Sequence, residues 1–344
     1  LSLPAYDTVR GIPSTLSPNI VTKLLKDDLH FRGLIVTDAM TMQGVTKAYS
    51  NAEATVLAVK AGNDLILMPP NEEVAIDALI GAVKRGEIGM DRIDESVRKM
   101  LSVKAWLGLP KYRHVNPDTI FAVVGAKEHK RLAREIARKS ITLVKNEGGF
   151  VPIEKFGSKR LMSLVVSDNA VPTTGDRFNS QLRLRYPNFQ ALRVDTRSNA
   201  EEYDSVFNVV KRADLILCPI YVRVRSGQGT IGLQPQQVQF LDRVLALGKP
   251  TVAISLGNPY LLSAMKNVSA YLCVYSDADV SVDAAVEAVF GEIDVGGKLP
   301  VTIPDLAQYG TGLVLKKNQL RTDEPEAVAF NSEKLKKLDD ILKK

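Results

Sequence analysis

The sequence predicts an α/β protein, and three observations carry that prediction. Residues 1–110 run β-α-β-α, the rhythm of a parallel barrel or a doubly wound sheet. Residues 140–305 return to the same alternation with five further strand-like runs. The chain of 344 residues is 45% hydrophobic and 24% charged, which is enough apolar material for about two ordinary globular domains.

The elements follow in order. Ser17-Pro18 opens a helix, serine as cap and proline at its first position, with Ile20, Val21, Leu24 and Leu25 at helical spacing. Leu34-Ile35-Val36-Thr37 is a short apolar, β-branched run suited to a buried strand, and it ends on Asp38. Ala39-Met40-Thr41-Met42 then reads as a βα loop. An alanine- and valine-rich helix spans residues 51–61, with Gly62 as its C-cap. Residues 64–69 form a second short strand, and helical patterns cover residues 71–85 and 91–107. In the last of these, Ile93, Val97 and Leu101 are expected to face inward.

Residues 111–139 read as a polar, proline-broken linker and a charged helix at 127–139. Beyond it, strands are expected at 161–166, 191–194, 214–221, 251–256 and 270–275. Helices are expected near 174–186, 200–212, 235–246, 260–266 and 281–291. This is an open sheet with helices on both faces. The tail, residues 306–344, ends in an amphipathic helix bearing Leu335, Leu338 and Leu342 with Ser332 as cap.

Asp38 is the first candidate for chemistry. An acid at the C-terminal end of a parallel strand points into the crevice where such folds react. The competing reading is that it only caps the next helix. The run LxxDxxFxGLIVTDAMTMQGV at residues 25–45 tips the balance, because it resembles the nucleophile segment of glycoside hydrolase family 3, its β-N-acetylglucosaminidase branch in particular. Residues 140–147, Phe150-Val151-Pro152-Ile153 and the stretch from Ala288 to Pro304 resemble the second domain of the same family. The resemblance implies that Asp38 is the catalytic nucleophile of a retaining glycosidase and that the substrate is a carbohydrate. It also implies a fold: the C-terminal part of a (β/α)8 TIM-type barrel over residues 1–110, then an α/β sandwich domain over 140–305.

A barrel of that type needs about 250 residues, so on this reading its earlier strands lie upstream of Leu1 and act as a partner to this chain. The proton donor of the N-acetylglucosaminidase branch, a histidine held by aspartate, is expected there too, since His30, His114 and His129 have the wrong contexts. The glucosidase branch carries its acid in the second domain, but the corresponding loop, residues 223–237, has no Asp or Glu. Met42 is taken as a residue lining the sugar, against the commoner packing role of such a methionine. The tail is similar to the entry helix of β-lactamase-type hydrolase domains, which favours an exported protein; a simple C-terminal helix fits equally well.

Other chemistries fare less well. Gly227-Gln228-Gly229-Thr230-Ile231-Gly232 matches the dinucleotide fingerprint, but Pro235 starts the helix after the third glycine and the next strand ends at Leu256-Gly257-Asn258 with no acid for a ribose. Ser96-Val97-Arg98-Lys99 spells S-x-x-K, better read as a surface pair. Asp38-Ala39-Met40-Thr41 loosely resembles a phosphatase loop, but Met40 stands where a second acid belongs. No His or Cys grouping has metal spacing, and no cofactor is expected. The net charge of +6 is interleaved rather than blocked, so nucleic acid is not a predicted partner. No apolar run reaches the roughly 18 residues of a membrane span. Cys218 and Cys273 lie in apolar runs and read as buried thiols.

Overall fold

The computed structural model describes residues 2–9, 11–153, 160–223 and 232–318, together with Ser332 and Lys334. The chain divides into two compact units, Leu1–Ile120 and Phe121–Lys344.

In the first unit, α1 (Asn51–Ala61), α2 (Glu72–Lys84) and α3 (Met90–Trp106) lie where the periodicity puts them. Ser50 and Asn71 cap the first two by accepting from Glu53 N and Val74 N. Gly62 ends α1 at φ +114°, and a Cβ there would come within 2.6 Å of Thr22 Oγ1. The opening helix, Asn19–Asp28, is π-wound, with Ser17 Oγ accepting from Ile20 N. Three small apolar clusters hold the unit together. Leu16, Met40, Val45, Ala54 and Ala58 form one, Val21, Ile35 and Ala61 a second, and Val59, Ala82 and Ile88 a third.

The two expected strands of this unit run side by side and parallel, but share a single bridge, Val36 to Leu65. The reason is chemical. Thr37 N donates to Leu65 O and Leu65 N to Ile35 O, as a parallel ladder requires. The next rung at each end goes to a side chain instead: Ile35 N donates to Asp64 Oδ2 at 3.0 Å, and Leu67 N to Thr37 Oγ1 at 2.9 Å. The inner face of α3 also departs from expectation. Ile93 packs inward, but Val97 and Leu101 are 40% and 57% exposed, while Arg92, Ser96 and Lys99 turn toward Asp64. A buried carboxylate needs donors, and that demand outranks the apolar stripe.

The second unit is built on a six-stranded sheet, order β1-β6-β5-β4-β2-β3. Its strands are β1 (Thr142–Asn146), β2 (Leu161–Ser167), β3 (Phe189–Val194), β4 (Leu215–Val222), β5 (Thr251–Gly257) and β6 (Ala270–Cys273). All pairs are parallel except β1 with β6. Strands β2 and β4 are buried along their whole length, as continuous apolar runs in a two-faced sheet must be. One face is covered by α4 (Lys127–Ser140), α5 (Asp176–Arg185) and α8 (Asp279–Val289), through Ala137, Phe178, Leu182 and Val282. The other is covered by α6 (Ala200–Val210), α7 (Pro235–Leu245) and the 3-10 turn Pro259–Ala264, through Tyr203, Phe240, Leu241 and Leu261. Residues 306–318 stay with this unit: Leu313 N donates to Leu143 O, and Val295 bridges Leu315. The predicted helix leucines Leu335, Leu338 and Leu342 lie outside the described residues.

Cys218 and Cys273 are free and fully buried, and burial pushes both thiols up to about 12. Among the described residues no helix is long and apolar enough to cross a membrane, and no group of His, Cys, Asp and Glu is placed to hold a metal.

Candidate active site

Side chains alternate along the strand that leads to Asp38. Ile35 and Thr37 are 7% and 3% exposed and face the helices. Val36, 45% exposed, and Asp38 take the opposite phase. Leu67, across the ribbon, is 40% exposed. The acid therefore stands on the ribbon face that no element of its own unit covers. The backbone N–H and C=O groups of Val36 and Asp38 have no backbone partner among the described residues, so this edge of the ribbon is open as well.

The loop after Asp38 is pinned at both levels. Met40 N donates to Leu67 O at 3.0 Å, and the Met40 side chain is buried at 1% exposure in the cluster under α1. Asp38 Oδ1 accepts from Ala39 N at 2.7 Å. Among the described residues that is its single hydrogen bond, and no cation pairs with it. The helix-cap alternative is not what the structure shows. The next helical turn, Gln43–Thr46, has Met42 at its N-cap with no side-chain bond, and Asp38 lies well before it. Met42 is 50% exposed and serves that turn through its carbonyl, which accepts from Val45 N. Asp38 is thus an exposed carboxylate that, among the described residues, neither caps a helix nor pairs with a cation.

The ribbon that carries this carboxylate is tied at Ile35 to a cluster that the sequence did not reveal as such. The Asp64 side chain is completely buried. It accepts from Ile35 N at 3.0 Å, Ser96 Oγ at 2.9 Å, Lys99 Nζ at 3.1 Å and Arg92 Nη2 at 3.2 Å. Arg92 also donates to Ser96 Oγ and to the Asn63 carbonyl, at 2.8 and 2.7 Å. Burial pulls the Asp64 pKa upward, but the bonds from Ile35, Ser96 and Lys99 outweigh it and hold the carboxyl below its usual range. Glu95 and Lys26 complete the cluster, Lys99 holding the Glu95 carboxyl low. The S-x-x-K pair is thus neither a penicillin-type nucleophile nor a surface pair, because Ser96 is buried at 8% exposure and both side chains serve Asp64. The signal was present as Arg92, Ser96 and Lys99 on one helical stripe.

In the second unit, the first five glycine-motif positions, residues 227–231, lie outside the described residues. The flanking geometry is clear: α7 begins at Pro235 with Gln234 as its cap, and β5 ends at Gly257, followed by Asn258. The helix N-terminus therefore falls beyond the third glycine, as the proline predicts.

Two family models match the chain. One, described as Glycosyl hydrolase family 3 N terminal domain, covers residues 2–103, and the other, Glycosyl hydrolase family 3 C-terminal domain, covers residues 141–335. A β-N-acetylglucosaminidase/β-glucosidase of Cellulomonas fimi is 26% identical over 323 residues, which is 88% of this chain and 56% of that protein. A periplasmic β-glucosidase of Salmonella typhimurium is 24% identical over 350 residues, 87% of this chain and 45% of that one. The solved family 3 β-N-acetylglucosaminidase of Paenibacillus sp. superposes with a TM-score of 0.73 at 24% identity, over 88% of this chain and 56% of that chain. The chain thus spans about half the length of the relatives it matches.

Proposed function

The chain belongs to glycosyl hydrolase family 3, and on that premise we propose that it carries the nucleophile, Asp38, of a retaining glycosidase for terminal β-linked N-acetylglucosamine. The carrying observation is the state of Asp38: a carboxylate at the end of a parallel strand, on the uncovered face, with one backbone hydrogen bond and no counter-ion among the described residues. In this reading Asp38 attacks the anomeric carbon as the leaving oxygen takes a proton. A covalent glycosyl-enzyme forms, and water then cleaves it. Retaining enzymes with two carboxyls set them about 5 Å apart; in the amino-sugar branch the histidine expected upstream takes the place of the second.

Residues 1–110 are read as the closing part of a (β/α)8 barrel. The open edge at Val36 and Asp38, and the exposed Val36 and Leu67, are what a ribbon shows where further barrel strands add. The rest of the barrel, and with it the proton donor, are assigned to a segment beyond these 344 residues. The matched relatives extend past the region that they share with this chain, which is consistent with that assignment. Met42, exposed four residues after the nucleophile, is assigned to the sugar-binding rim.

Relatives named for N-acetylglucosaminidase, glucosidase and xylosidase activity all match at similar identity. The absence of any acid in residues 223–237 favours the amino-sugar branch over the glucosidase one. The test is a fluorinated N-acetylglucosaminide with a good leaving group, incubated with the full-length protein and followed by peptide mass spectrometry. The reading expects one sugar on the peptide containing Asp38. A label elsewhere, or preference for the glucose analogue, overturns the nucleophile or the specificity respectively.

A further inference from the structure

The ribbon that presents Asp38 is held by two reciprocal side-chain bonds, and we propose that Asp64 and Thr37 are positioning residues for the nucleophile. The proposal rests on the reading of Asp38 given above. Its starting observation is the pair of missing ladder rungs. Asp64, from the second segment, takes the Ile35 amide, and Thr37, from the first, takes the Leu67 amide. Between these clamps lies Val36, with Asp38 one residue beyond the second. Each clamp is anchored away from the reacting face. Asp64 is bonded through Ser96, Lys99 and Arg92 to α3, and Thr37 is 3% exposed.

A plain strand pair would not need this. Buried charged clusters carry a heavy desolvation cost and are weak sources of stability; their attested use is to specify one arrangement. Here the arrangement at stake is phase. A slip of one residue moves every side chain of a strand to its other face. It would turn Asp38 toward the helices and Thr37 outward. Only one bridge and a few backbone bonds, with Met40 N to Leu67 O beyond the acid, hold the ribbon otherwise, so the two side-chain bonds add restraint that a longer ladder would supply. The hydroxyl of Thr37 and the carboxylate of Asp64 each recognise one specific amide, so both bonds exist only in the observed register. A nucleophile must be held within about 0.5 Å of its productive place, and these two bonds fix the strand at Ile35 and Thr37, just ahead of it. Asp38 then attacks; Asp64 and Thr37 act through it and touch no substrate.

The test measures labelling of Asp38 by the fluoro-sugar in the full-length protein, for Thr37→Val, Thr37→Ser and Asp64→Asn, beside thermal unfolding of each. The expected result is a labelling rate at saturating sugar that falls by about 10- to 100-fold in Thr37→Val and Asp64→Asn. The half-saturating concentration stays unchanged, melting stays cooperative, and Thr37→Ser, which keeps the hydroxyl, labels at the wild-type rate. A purely structural role would not separate rate from half-saturation, and would not be rescued in rate by serine. Wild-type labelling rates in Thr37→Val and Asp64→Asn, or a Thr37→Ser protein as slow as Thr37→Val, overturn the positioning role and leave the nucleophile assignment standing. Failure of the wild-type protein to label at Asp38 overturns the nucleophile assignment itself, and the positioning role with it.

Discussion

Replacing Asp64 by alanine should unfasten the Asp38 ribbon from α3, and the cost can be worked from the contacts. Ile35 N loses its acceptor while Ile35 stays buried at 7% exposure, which costs about 1–3 kcal/mol. Arg92 and Lys99 lose their shared counter-charge. For a fully buried pair that alone is about 3–5 kcal/mol, but the two cations are 18% and 23% exposed and can turn toward water or Glu95, so the lower end applies. The effects overlap, since the same carboxylate serves all donors, and the total is about 3–4 kcal/mol. Global unfolding of a chain with two units does not localise such a loss to this ribbon. Amide hydrogen exchange resolves the site instead: peptides spanning residues 34–40 and 90–106 should lose about two to three decades of protection. Peptides from β2, β4 and β5 should be unchanged. A loss below about tenfold in the first two peptides would refute the reasoning that Asp64 fastens them.

Asp38→Asn, by contrast, removes an exposed group with no counter-ion, and stability should stay within about 0.5 kcal/mol by chemical denaturation. Met42→Ala should leave melting unchanged, because the side chain is half exposed, and should raise the substrate concentration needed for half-maximal rate in the full-length protein. Asp195 offers a pH test in the second unit. The Arg197 guanidinium, helped by Arg193, holds its buried carboxyl down to about 2. A depressed folded pKa contributes stability that is complete above the ordinary carboxylate value and is lost as pH falls through about 2. Denaturant midpoints between pH 5 and 2 should therefore show about 2 kcal/mol of acid loss that Asp195→Asn lacks.

Much of the second unit was legible because its physics is simple. Runs such as Leu215-Ile216-Leu217-Cys218 are buried on both faces, so every residue reports the same environment and the strand declares itself. Pro235 there, like Gly62 in the first unit, marks a helix end for reasons of backbone chemistry alone. The first unit misled where burial and polarity part company. The inner stripe of α3 is Arg92, Ser96 and Lys99, and a rule that seeks apolar residues inside picks Val97 and Leu101, which are exposed. In the sequence Asp64 is only the first residue of a strand; its donors, the Ile35 amide and the Ser96, Lys99 and Arg92 side chains about 30 residues away, show it to be the hub. The apolar run that ends on Asp38, together with the family motif, makes it a candidate in the sequence. That its carboxylate caps nothing required coordinates, because a cap and a nucleophile look alike in a sequence.

The central claim is that the Asp38 carboxylate forms the bond to C1 of the sugar. It is tested most directly by Asp38→Gly in the full-length protein, assayed on an activated aryl N-acetylglucosaminide with and without azide. The account predicts that hydrolysis is lost and that azide, entering the space of the missing carboxylate, restores aryl release and yields the glycosyl azide of inverted configuration. Undiminished hydrolysis without azide, or a glycosyl azide of retained configuration, would contradict it.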